Sequence, residues 1–345
     1  MKRITVAVLA FNEQHNLPDL FASLASQTLP AAEFEILVVD NGSRDGTRDL
    51  VRDWQARLAN LRLVIQPVPG IAASRNAALR AAVTPLIAFT DADVICPPHW
   101  LRTLVEGFDR HRAGDSRLVA VGGGNRPVRG GGPFLDAIGI TLNSFWGSHG
   151  SVQGMRFGAD RPVEHIPTLN ICYDRERVLA AGGFDENFRL VCEDPELNHR
   201  LTRAGGRIVY LADAEIEHKM RANLRSWLRN VYLYGRGRTQ ILRKHPDHWR
   251  LKFLAPPLLL LALLLLPFGF RWPICWLPAL YFPAVAPLAW LLCRRNERPD
   301  LFATVYAILA ANPIAYGLGM IHGLWYRYPP VAPRPVPAAE KELIV

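Results

Sequence analysis

The chain has 345 residues, of which 50% are hydrophobic, and its formal net charge at pH 7 is +9. This length fills about two average domains, and five scattered cysteines without a C-x-x-C pair argue against a disulfide framework or a zinc site. The densest basic block, 221–252, directly precedes a long apolar stretch. Its expected partner is therefore anionic lipid headgroups and not nucleic acid.

The first ninety residues alternate between predicted strands and helices. Apolar runs predict strands at 4–10, 34–39, 61–66 and 86–90, and helical spacing predicts helices at 16–27, 45–58 and 71–82. Such alternation predicts an α/β domain with a largely parallel sheet and helices on both faces. Ligands bind these sheets beyond the carboxyl ends of the strands, where the loops that hold Asn12, Asp40 and Asp91 should meet.

Two carboxylates, Asp91 and Asp93, follow the fourth predicted strand. Carboxylate oxygens at an exposed strand end can hold Mg²⁺ or Mn²⁺, and a divalent ion there would bridge diphosphate oxygens. Asp-x-Asp is also a common turn sequence, so the triplet alone leaves both interpretations open. The sequence has no G-x-x-x-x-G-K-[ST] motif, and no G-x-G-x-x-G follows the first strand. It therefore lacks both the P-loop and the dinucleotide-binding fingerprint.

A second acidic pair, Glu193 and Asp194, stands at the start of a segment with helical character, 195–204. An acidic pair at a helix start can be ordinary capping. Downstream, a predicted strand at 207–211 is followed by His218, a possible metal ligand that could equally be structural. The glycine clusters 122–124 and 130–132 are interpreted as flexible surface connections.

The last third of the chain has the composition of membrane segments. Between residues 253 and 293 the only charged residue is Arg271, and we predict membrane segments at 253–270, 272–293 and 301–325. Four prolines in the second segment predict a kinked helix. Gly319 and Gly323 give the third segment a face of small residues for helix packing.

Three arginines, at 294, 295 and 298, lie between the second and third membrane segments and predict how the chain is oriented in the membrane. By the positive-inside rule, the N-terminal domain is predicted to be cytoplasmic and the chain a multi-pass protein of the plasma membrane. The predicted organisation is an α/β domain over 1–245, which includes basic membrane-interface helices near its end, a membrane domain over 246–325 and a flexible tail over 326–345.

Four sequence blocks in order resemble glycosyltransferase family 2, whose Rossmann-like fold is called GT-A. The blocks are VAVLAFNEQHNLPDLFASLASQ, EILVVDNGSRDGT, GIAASRNAALRAAVTPLIAFTDADV and GGFDENFRLVCEDPELNHRLTRAGGRIVYL. The resemblance covers about residues 4–246. It implies an inverting hexosyltransferase that uses a nucleotide-sugar donor, most commonly a UDP-sugar, together with Mg²⁺ or Mn²⁺.

The resemblance also implies roles for individual residues. Asp194 matches the general base that takes a proton from the acceptor hydroxyl. The positions matched to donor binding are Asn12 and Glu13 in the nucleoside pocket, Asp40 at the nucleobase, Arg75 at the diphosphate and Asp91 at the ribose or the metal. Asp93 matches the direct metal ligand, and His218 matches a further ligand to the same ion.

The sequence departs from processive members of the family near the membrane. Those members carry Q-x-x-R-W, whereas here Gln240 to Arg243 is followed by Lys244. The segment YGRGR at 234–238 is instead similar to bacterial exopolysaccharide glycosyltransferases of the succinoglycan type, which favours single-sugar addition. Arg236 or Arg238 could close over the donor diphosphate or bind lipid headgroups.

The function that this resemblance implies is transfer of one sugar to a polyprenyl-diphosphate-linked glycan, or to another lipid acceptor, at the cytoplasmic membrane face. One alternative is a polyprenyl-phosphate glycosyl synthase. Another is a non-catalytic membrane protein that binds sugar nucleotides. The set of Asp91, Asp93 and Asp194 argues against the non-catalytic alternative, since a binding module needs no general base.

Overall fold

The computed structural model describes residues 1–148, 151–221, 223–327 and 342–343. Most of the predicted flexible tail, 326–345, therefore lies outside the described residues. The chain divides into two compact units. Among the described residues, the first unit comprises 1–126, 151–219 and 342–343, and the second comprises 127–148, 220–221 and 223–327.

The strands of the first unit form around apolar, β-branched runs that are buried on both faces. The described strands are β1 (Ile4–Ala10), β2 (Phe34–Asp40), β3 (Leu61–Ile65), β4 (Leu86–Asp91), β5 (Val94–Ile95), β6 (Leu118–Gly122), β7 (Asn125–Pro127), β8 (Arg161–Val163), β9 (Asn170–Asp174), β10 (Arg207–Tyr210) and β11 (Ile216–His218). All seven residues of β2 are buried. Near-continuous apolar strands of this kind are typical of a sheet that is covered by helices on both sides.

Helices of the first unit connect these strands. They are α1 (Leu17–Ala25), α2 (Thr47–Gln55), α3 (Ile71–Ala81), α4 (Trp100–Gly114), α7 (Arg175–Ala180) and α8 (Glu193–Arg203), and the second unit contributes α5 (Pro133–Leu142) and α6 (Phe145–Ser148). The alternation predicted for the first ninety residues is confirmed, with element ends that differ by up to three residues from the predicted ones.

The main sheet has eight strands in the order β3-β2-β1-β4-β9-β6-β10-β8. β1, β2, β3 and β4 are parallel, with Ala10 opposite Asp40. The prediction of a largely parallel sheet is confirmed for six of the eight strands, because β6 and β10 run in the same direction as β4, but β9 runs antiparallel to β4 and β6, and β8 runs antiparallel to β10. Burial patterns do not encode strand direction, so the sequence could not reveal this reversal.

The antiparallel direction of β9 matters for the position of the residues before it. In the register of the sheet, Asn170 at the start of β9 pairs with Thr90 near the end of β4. The segment that precedes β9 therefore reaches the same edge of the sheet as the carboxyl end of β4.

A second, three-stranded sheet has the order β5-β11-β7. β5 and β11 are antiparallel, with His218 opposite Val94. The predicted surface role of the glycines at 122–124 is wrong, because they are buried where this region packs closely. A Cβ on Gly123 would lie 2.0 Å from the Ala214 carbonyl oxygen.

The second unit is helical. Besides α5 and α6 it contains α9 (Leu224–Lys244), α10 (Ala255–Leu263), α11 (Tyr281–Arg295) and α12 (Phe302–Gly323). α12 packs on α9 through small residues: a Cβ on Gly319 would lie 2.0 Å from the Tyr232 carbonyl oxygen, and one on Gly323 would lie 2.8 Å from Thr239. The small-residue face predicted for the third apolar segment is thus confirmed.

Two helical stretches within the described residues are long and apolar enough to cross a bilayer, Pro273–Arg295 and Pro299–Gly323. They correspond to the second and third predicted segments. The first predicted segment, 253–270, contains the nine-residue helix α10 followed by a 3₁₀ stretch, Leu266–Phe270.

Candidate active site

Three loops of the first unit leave the sheet at the carboxyl ends of β1, β2 and β4. Because these strands are parallel, Asn12, Asp40 and Asp91 emerge at one edge, as the sequence predicts for a ligand site. Asn12 has a φ of 60°, a left-handed conformation that is uncommon for residues other than glycine and is often found at functional sites.

The loops after β1 and β2 are bound to each other by hydrogen bonds. The Asn12 N–H donates to Ser43 Oγ at 2.9 Å, and Asn12 Oδ1 accepts from the Arg44 N–H at 2.8 Å. The Glu13 N–H donates to Thr47 Oγ1 at 2.8 Å. These contacts hold the two residues predicted to line the nucleoside pocket in a defined loop conformation.

The Asp40 carboxylate is fully buried and organises the turn after β2. Its oxygens accept hydrogen bonds from the Gly42 N–H at 3.1 Å and the Ser43 N–H at 3.2 Å. Arg48 donates from Nε to Asp40 Oδ2 at 2.7 Å. The nucleobase-binding role of Asp40 stays a prediction, and its contacts here are with its own turn and with α2.

The acidic pair after β4 lies beside a histidine from much later in the chain. Pairing of β5 with β11 brings His218 Nε2 to 3.3 Å from Asp93 Oδ1. The Lys219 N–H also donates to the Asp93 carbonyl oxygen at 2.8 Å, which fixes the end of β11 against this turn. The structure thus brings together two of the three residues predicted as metal ligands.

Asp91 belongs to the same charged cluster. Burial raises the pKa of Asp91, and the neighbouring carboxylates of Asp93 and Asp194 raise it further, whereas Arg75 and His218 act in the opposite direction. The crowding of three carboxylates is costly unless positive charge is nearby. A cation at this position would relieve the repulsion.

The donor set suits a divalent ion. Two ligand atoms that each lie about 2.1 Å from one metal ion are separated by about 3 Å, close to the 3.3 Å between Asp93 Oδ1 and His218 Nε2. Hard carboxylate oxygens with one imidazole nitrogen suit Mn²⁺ and, with more oxygen ligands, Mg²⁺. The residues present therefore fit the predicted metal.

Arg75 occupies a buried position behind this cluster. Its side chain is 2% exposed, and Nε lies 3.1 Å from Glu193 Oε1. The guanidinium carbon lies 5.5 Å from the centre of the Phe89 ring and 5.8 Å from that of Phe184, a geometry suited to cation–π attraction. The predicted contact of Arg75 with diphosphate stays a prediction; in this structure its direct partner is Glu193.

Glu193 is the first residue of α8 and is also buried. Burial raises the pKa of Glu193 to about 7, in spite of the opposing effect of Arg75. Arg75 Nη1 and Glu193 Oε2 are both buried without a hydrogen-bond partner among the described residues. Cys192, the residue before Glu193, has a φ of 70°, an uncommon left-handed conformation for a residue other than glycine at the start of α8.

Asp194, the predicted general base, follows directly in α8. Its Oδ2 accepts a hydrogen bond from the Thr168 N–H at 3.1 Å, and Thr168 Oγ1 lies 3.4 Å from the same oxygen. His165 Nε2 lies 3.9 Å from Oδ2. Sequence reasoning missed Thr168 and His165, because they reach this edge only through the antiparallel direction of β9.

The two remaining predicted residues, Arg236 and Arg238, belong to α9 in the second unit. The Arg236 guanidinium carbon lies 4.0 Å from the centre of the Tyr326 ring. Arg238 donates from Nε to Tyr316 Oη at 3.2 Å, and its Nη1 lies 2.8 Å from His248 Nε2. Both arginines are thus held by aromatic and imidazole side chains of their own unit.

Family profiles match most of the chain. The profile described as "Glycosyl transferase family 2" matches residues 5–165. The profile described as "Glycosyl transferase family group 2" matches residues 86–294, which is more than half of the chain. Together they extend from the first strand of the sheet through α9 into α11.

Curated relatives carry glycosyltransferase names. The chain is 27% identical over 241 residues to "Glycosyltransferase AglE" of Haloferax volcanii, covering 69% of this chain and 73% of that protein. It is 28% identical over 245 residues to "Succinoglycan biosynthesis protein ExoA" of Rhizobium meliloti, covering 70% of each. Other curated relatives are longer, and the chain spans 57% of one and 48% of another.

A solved structure shares the fold. The mannosyltransferase PcManGT from Pyrobaculum calidifontis, in complex with GDP-Man and Mn²⁺, aligns with a TM-score of 0.56 and 21% sequence identity, covering 94% of this chain and 87% of that one. The predicted GT-A fold is thereby confirmed as a mixed α/β sheet, in which β9 and β8 run antiparallel to their neighbours.

Proposed function

Because the chain belongs to glycosyltransferase family 2, we propose that it transfers a single sugar from a nucleotide-sugar donor to a lipid-linked glycan or another membrane acceptor. The preferred donor is a UDP-sugar, and transfer inverts the anomeric centre. The observation that carries the proposal is the approach of His218 Nε2 to within 3.3 Å of Asp93 Oδ1. Residues so distant in sequence meet at the strand edge where this fold binds ligands.

Asp194 is assigned the chemical step. Its carboxylate takes the proton of the acceptor hydroxyl while the acceptor oxygen forms a bond to the anomeric carbon and the bond from that carbon to the nucleoside diphosphate breaks. A single displacement of this kind inverts the configuration at that carbon. Asp194 is suited to the role because Thr168 holds one of its oxygens.

Asp93, His218 and Asp91 are assigned to hold Mg²⁺ or Mn²⁺. When bound, this ion neutralises charge on the departing diphosphate. The Mn²⁺ in the complex of PcManGT supports the use of a divalent ion by this fold. Arg75 contributes positive charge behind the carboxylates from its buried position against Glu193.

Donor recognition is assigned to the loops at the ends of β1 and β2. Asn12, Glu13 and Asp40 are proposed to line the nucleoside pocket, which their shared sheet edge and the Asn12–Ser43 hydrogen bond support. Arg236 and Arg238 are proposed to bind phosphate groups, for which an arginine guanidinium provides paired donors.

Membrane attachment is proposed for the second unit. Its apolar segments expose large side chains, among them Phe270 at 88% and Trp272 at 53%. Exposed apolar surface of this extent is typical of membrane or protein contact. The basic residues of α9 suit anionic headgroups, and the arginines at 294, 295 and 298 support a multi-pass arrangement with the N-terminal domain in the cytoplasm.

The enzyme is proposed to act in cell-surface polysaccharide synthesis, which its likeness to the succinoglycan biosynthesis protein ExoA supports. The proposed domain organisation is a catalytic domain over 1–245, a membrane domain over 246–325 and a tail over 326–345.

The test is to incubate the purified full chain with a panel of UDP- and GDP-sugars, with and without a membrane lipid extract, and to measure nucleotide release and the mass of the lipids. We expect release of UDP that depends on the extract and a lipid-linked glycan that gains one sugar. Glycosylation of polyprenyl phosphate itself would identify a polyprenyl-phosphate glycosyl synthase. Donor binding without any turnover would show a non-catalytic protein and contradict the proposal.

A further inference from the structure

His165 faces the predicted general base from the segment before β9. Its Nε2 atom lies 3.9 Å from Asp194 Oδ2, and its side chain is 27% exposed against 16% for Asp194. This separation is longer than a hydrogen bond. The contacts on the other side of the imidazole ring determine which ring nitrogen carries the proton.

The other ring nitrogen, His165 Nδ1, lies 2.8 Å from Asn198 Nδ2 on α8. Asn198 is fully buried, and the Ile166 carbonyl oxygen fixes its amide orientation, because that oxygen can only accept and Asn198 Nδ2 donates to it at 3.0 Å. Asn198 Oδ1 then accepts from Tyr173 Oη at 2.7 Å. The atom of Asn198 that faces His165 is therefore the nitrogen, which only donates.

This assignment decides the tautomer of His165. Because Asn198 Nδ2 is a donor, His165 Nδ1 must accept, and the neutral ring then carries its proton on Nε2. Nε2–H, the atom nearest to Asp194, thus presents a donor to the carboxylate.

We propose that His165 is a positioning residue for Asp194, held in its Nε2–H tautomer by Asn198 and Tyr173. The proposal rests on the proposed function, in which Asp194 is the general base. Within the described part of the chain, His165 and Thr168 both approach Oδ2 of Asp194. Oδ1 is left to receive the proton of the acceptor hydroxyl.

The 3.9 Å separation is expected to shorten when the acceptor binds, since catalytic hydrogen bonds are often long before substrate is present. A donor that fixes one carboxylate oxygen orients the other one. Misplacement of a reacting group by about 1 Å can cost about 100-fold in rate. Loss of the donor should therefore lower kcat while leaving the KM for the donor sugar nucleotide unchanged.

Two conservative substitutions separate the roles of the ring nitrogens. In His165→Gln, the longer side chain can place an amide nitrogen where Nε2 stood, so the donor to Asp194 is kept. In His165→Asn, the shorter side chain reaches only the position of Nδ1, so the contact with Asn198 is kept and the donor to Asp194 is lost. We expect kcat to fall about 10- to 100-fold in His165→Asn and less than about fivefold in His165→Gln.

His111 provides the matched control. It is 29% exposed, and its Nε2 lies 2.9 Å from Asp160 Oδ2, so it too is a half-buried histidine beside a carboxylate. It lies in the last turn of α4, which leads into the start of β6 at the opposite edge of the sheet from the site. His111→Asn should leave kcat and KM unchanged.

The experiment measures kcat, the KM for the donor and the unfolding temperature for the full chain and these variants, with Asp194→Asn beside them. The inference is overturned if His165→Asn keeps the kcat of His111→Asn. It is also overturned if both His165 variants lose kcat equally together with a raised KM and a lowered unfolding temperature, which would show a structural role. An inactive wild type, or a fully active Asp194→Asn, would instead overturn the proposed function.

Discussion

Replacing Arg75 by methionine should destabilise the first unit strongly, and more at pH 8 than at pH 5. Arg75 is 2% exposed, and its direct partner, Glu193, is 3% exposed. Methionine fills much of the same volume beside the Phe89 and Phe184 rings but removes the positive charge. Glu193 is then left in a buried site without its charged partner, which is the costly way to break a buried ion pair.

The loss in the free energy of unfolding depends on whether Glu193 binds a proton once Arg75 is removed. Breaking a buried pair costs about 3–5 kcal/mol, and Glu193 can limit the loss by binding a proton. In the wild type the pKa of Glu193 is already about 7, so only the protonation between pH 7 and pH 8, about 1.4 kcal/mol, separates the variant from the wild type. Arg75→Met should therefore lose about 3–5 kcal/mol at pH 8, and roughly 1 kcal/mol less than that at pH 5.

The stability of the wild type also depends on pH, and it should fall as the pH rises. Burial raises the pKa of Glu193 to about 7, so the folded state binds this proton more tightly than the unfolded state. The contribution of Glu193 to the free energy of unfolding is therefore fully present below about pH 4.5 and is lost as the pH rises through about 7. Glu193→Gln should remove this dependence.

The assay is thermal unfolding of the full chain in detergent micelles, followed by circular dichroism at both pH values. For a unit of roughly 200 residues, each 1 kcal/mol shifts the midpoint by about 2–4 °C, so Arg75→Met should lower Tm by roughly 6–20 °C at pH 8. Arg117→Met is the control, because Arg117 is 64% exposed in its pair with Asp115, and it should change Tm little. The reasoning would be refuted if Arg75→Met and Arg117→Met lowered Tm equally, or if Arg75→Met lowered Tm by the same amount at pH 5 and pH 8.

Two further predictions concern the metal and the membrane. Asp93→Ala should lose most transfer activity while Tm is kept, and the wild type should lose activity in excess chelator and regain it with Mn²⁺ or Mg²⁺; full turnover in chelator would rule out the assigned metal role. A reporter fused after Val345 should lie on the side of the membrane opposite to a reporter at Met1, because the arginines at 294, 295 and 298 favour three crossings. Reporters on the same side would mean that one of the three apolar segments does not cross.

Local patterns predicted the elements of the first unit well. Short apolar β-branched runs, such as those at 4–10 and 34–40, favour strands of a covered sheet, and the polar residues that follow parallel strands emerge at one edge. This is why Asn12, Asp40 and Asp91 could be named as site residues from the sequence.

Non-local pairing explains what could not be predicted. The direction of β9 depends on its neighbours β4 and β6, and this direction alone brings Thr168 and His165 to Asp194. The burial of Arg75 likewise depends on rings from β4 and from the turn after α7, since Phe184 lies in neither α3 nor its flanking strands. An arginine on a predicted helix has no sequence signal that separates a ligand-facing side chain from a buried one.

The most direct test of the central claim compares wild type with Asp194→Asn in two measurements, UDP affinity by calorimetry and sugar transfer by product assay. The amide keeps the shape of the side chain but cannot take up the acceptor proton, so transfer should fall by about 10²- to 10⁴-fold. UDP affinity should be unchanged, because the nucleotide contacts are assigned to Asn12, Asp40 and the metal ligands. Near-normal transfer by the variant would contradict the claim and direct attention to Glu193, and a joint loss of affinity and transfer would show that Asp194 holds the metal or the fold.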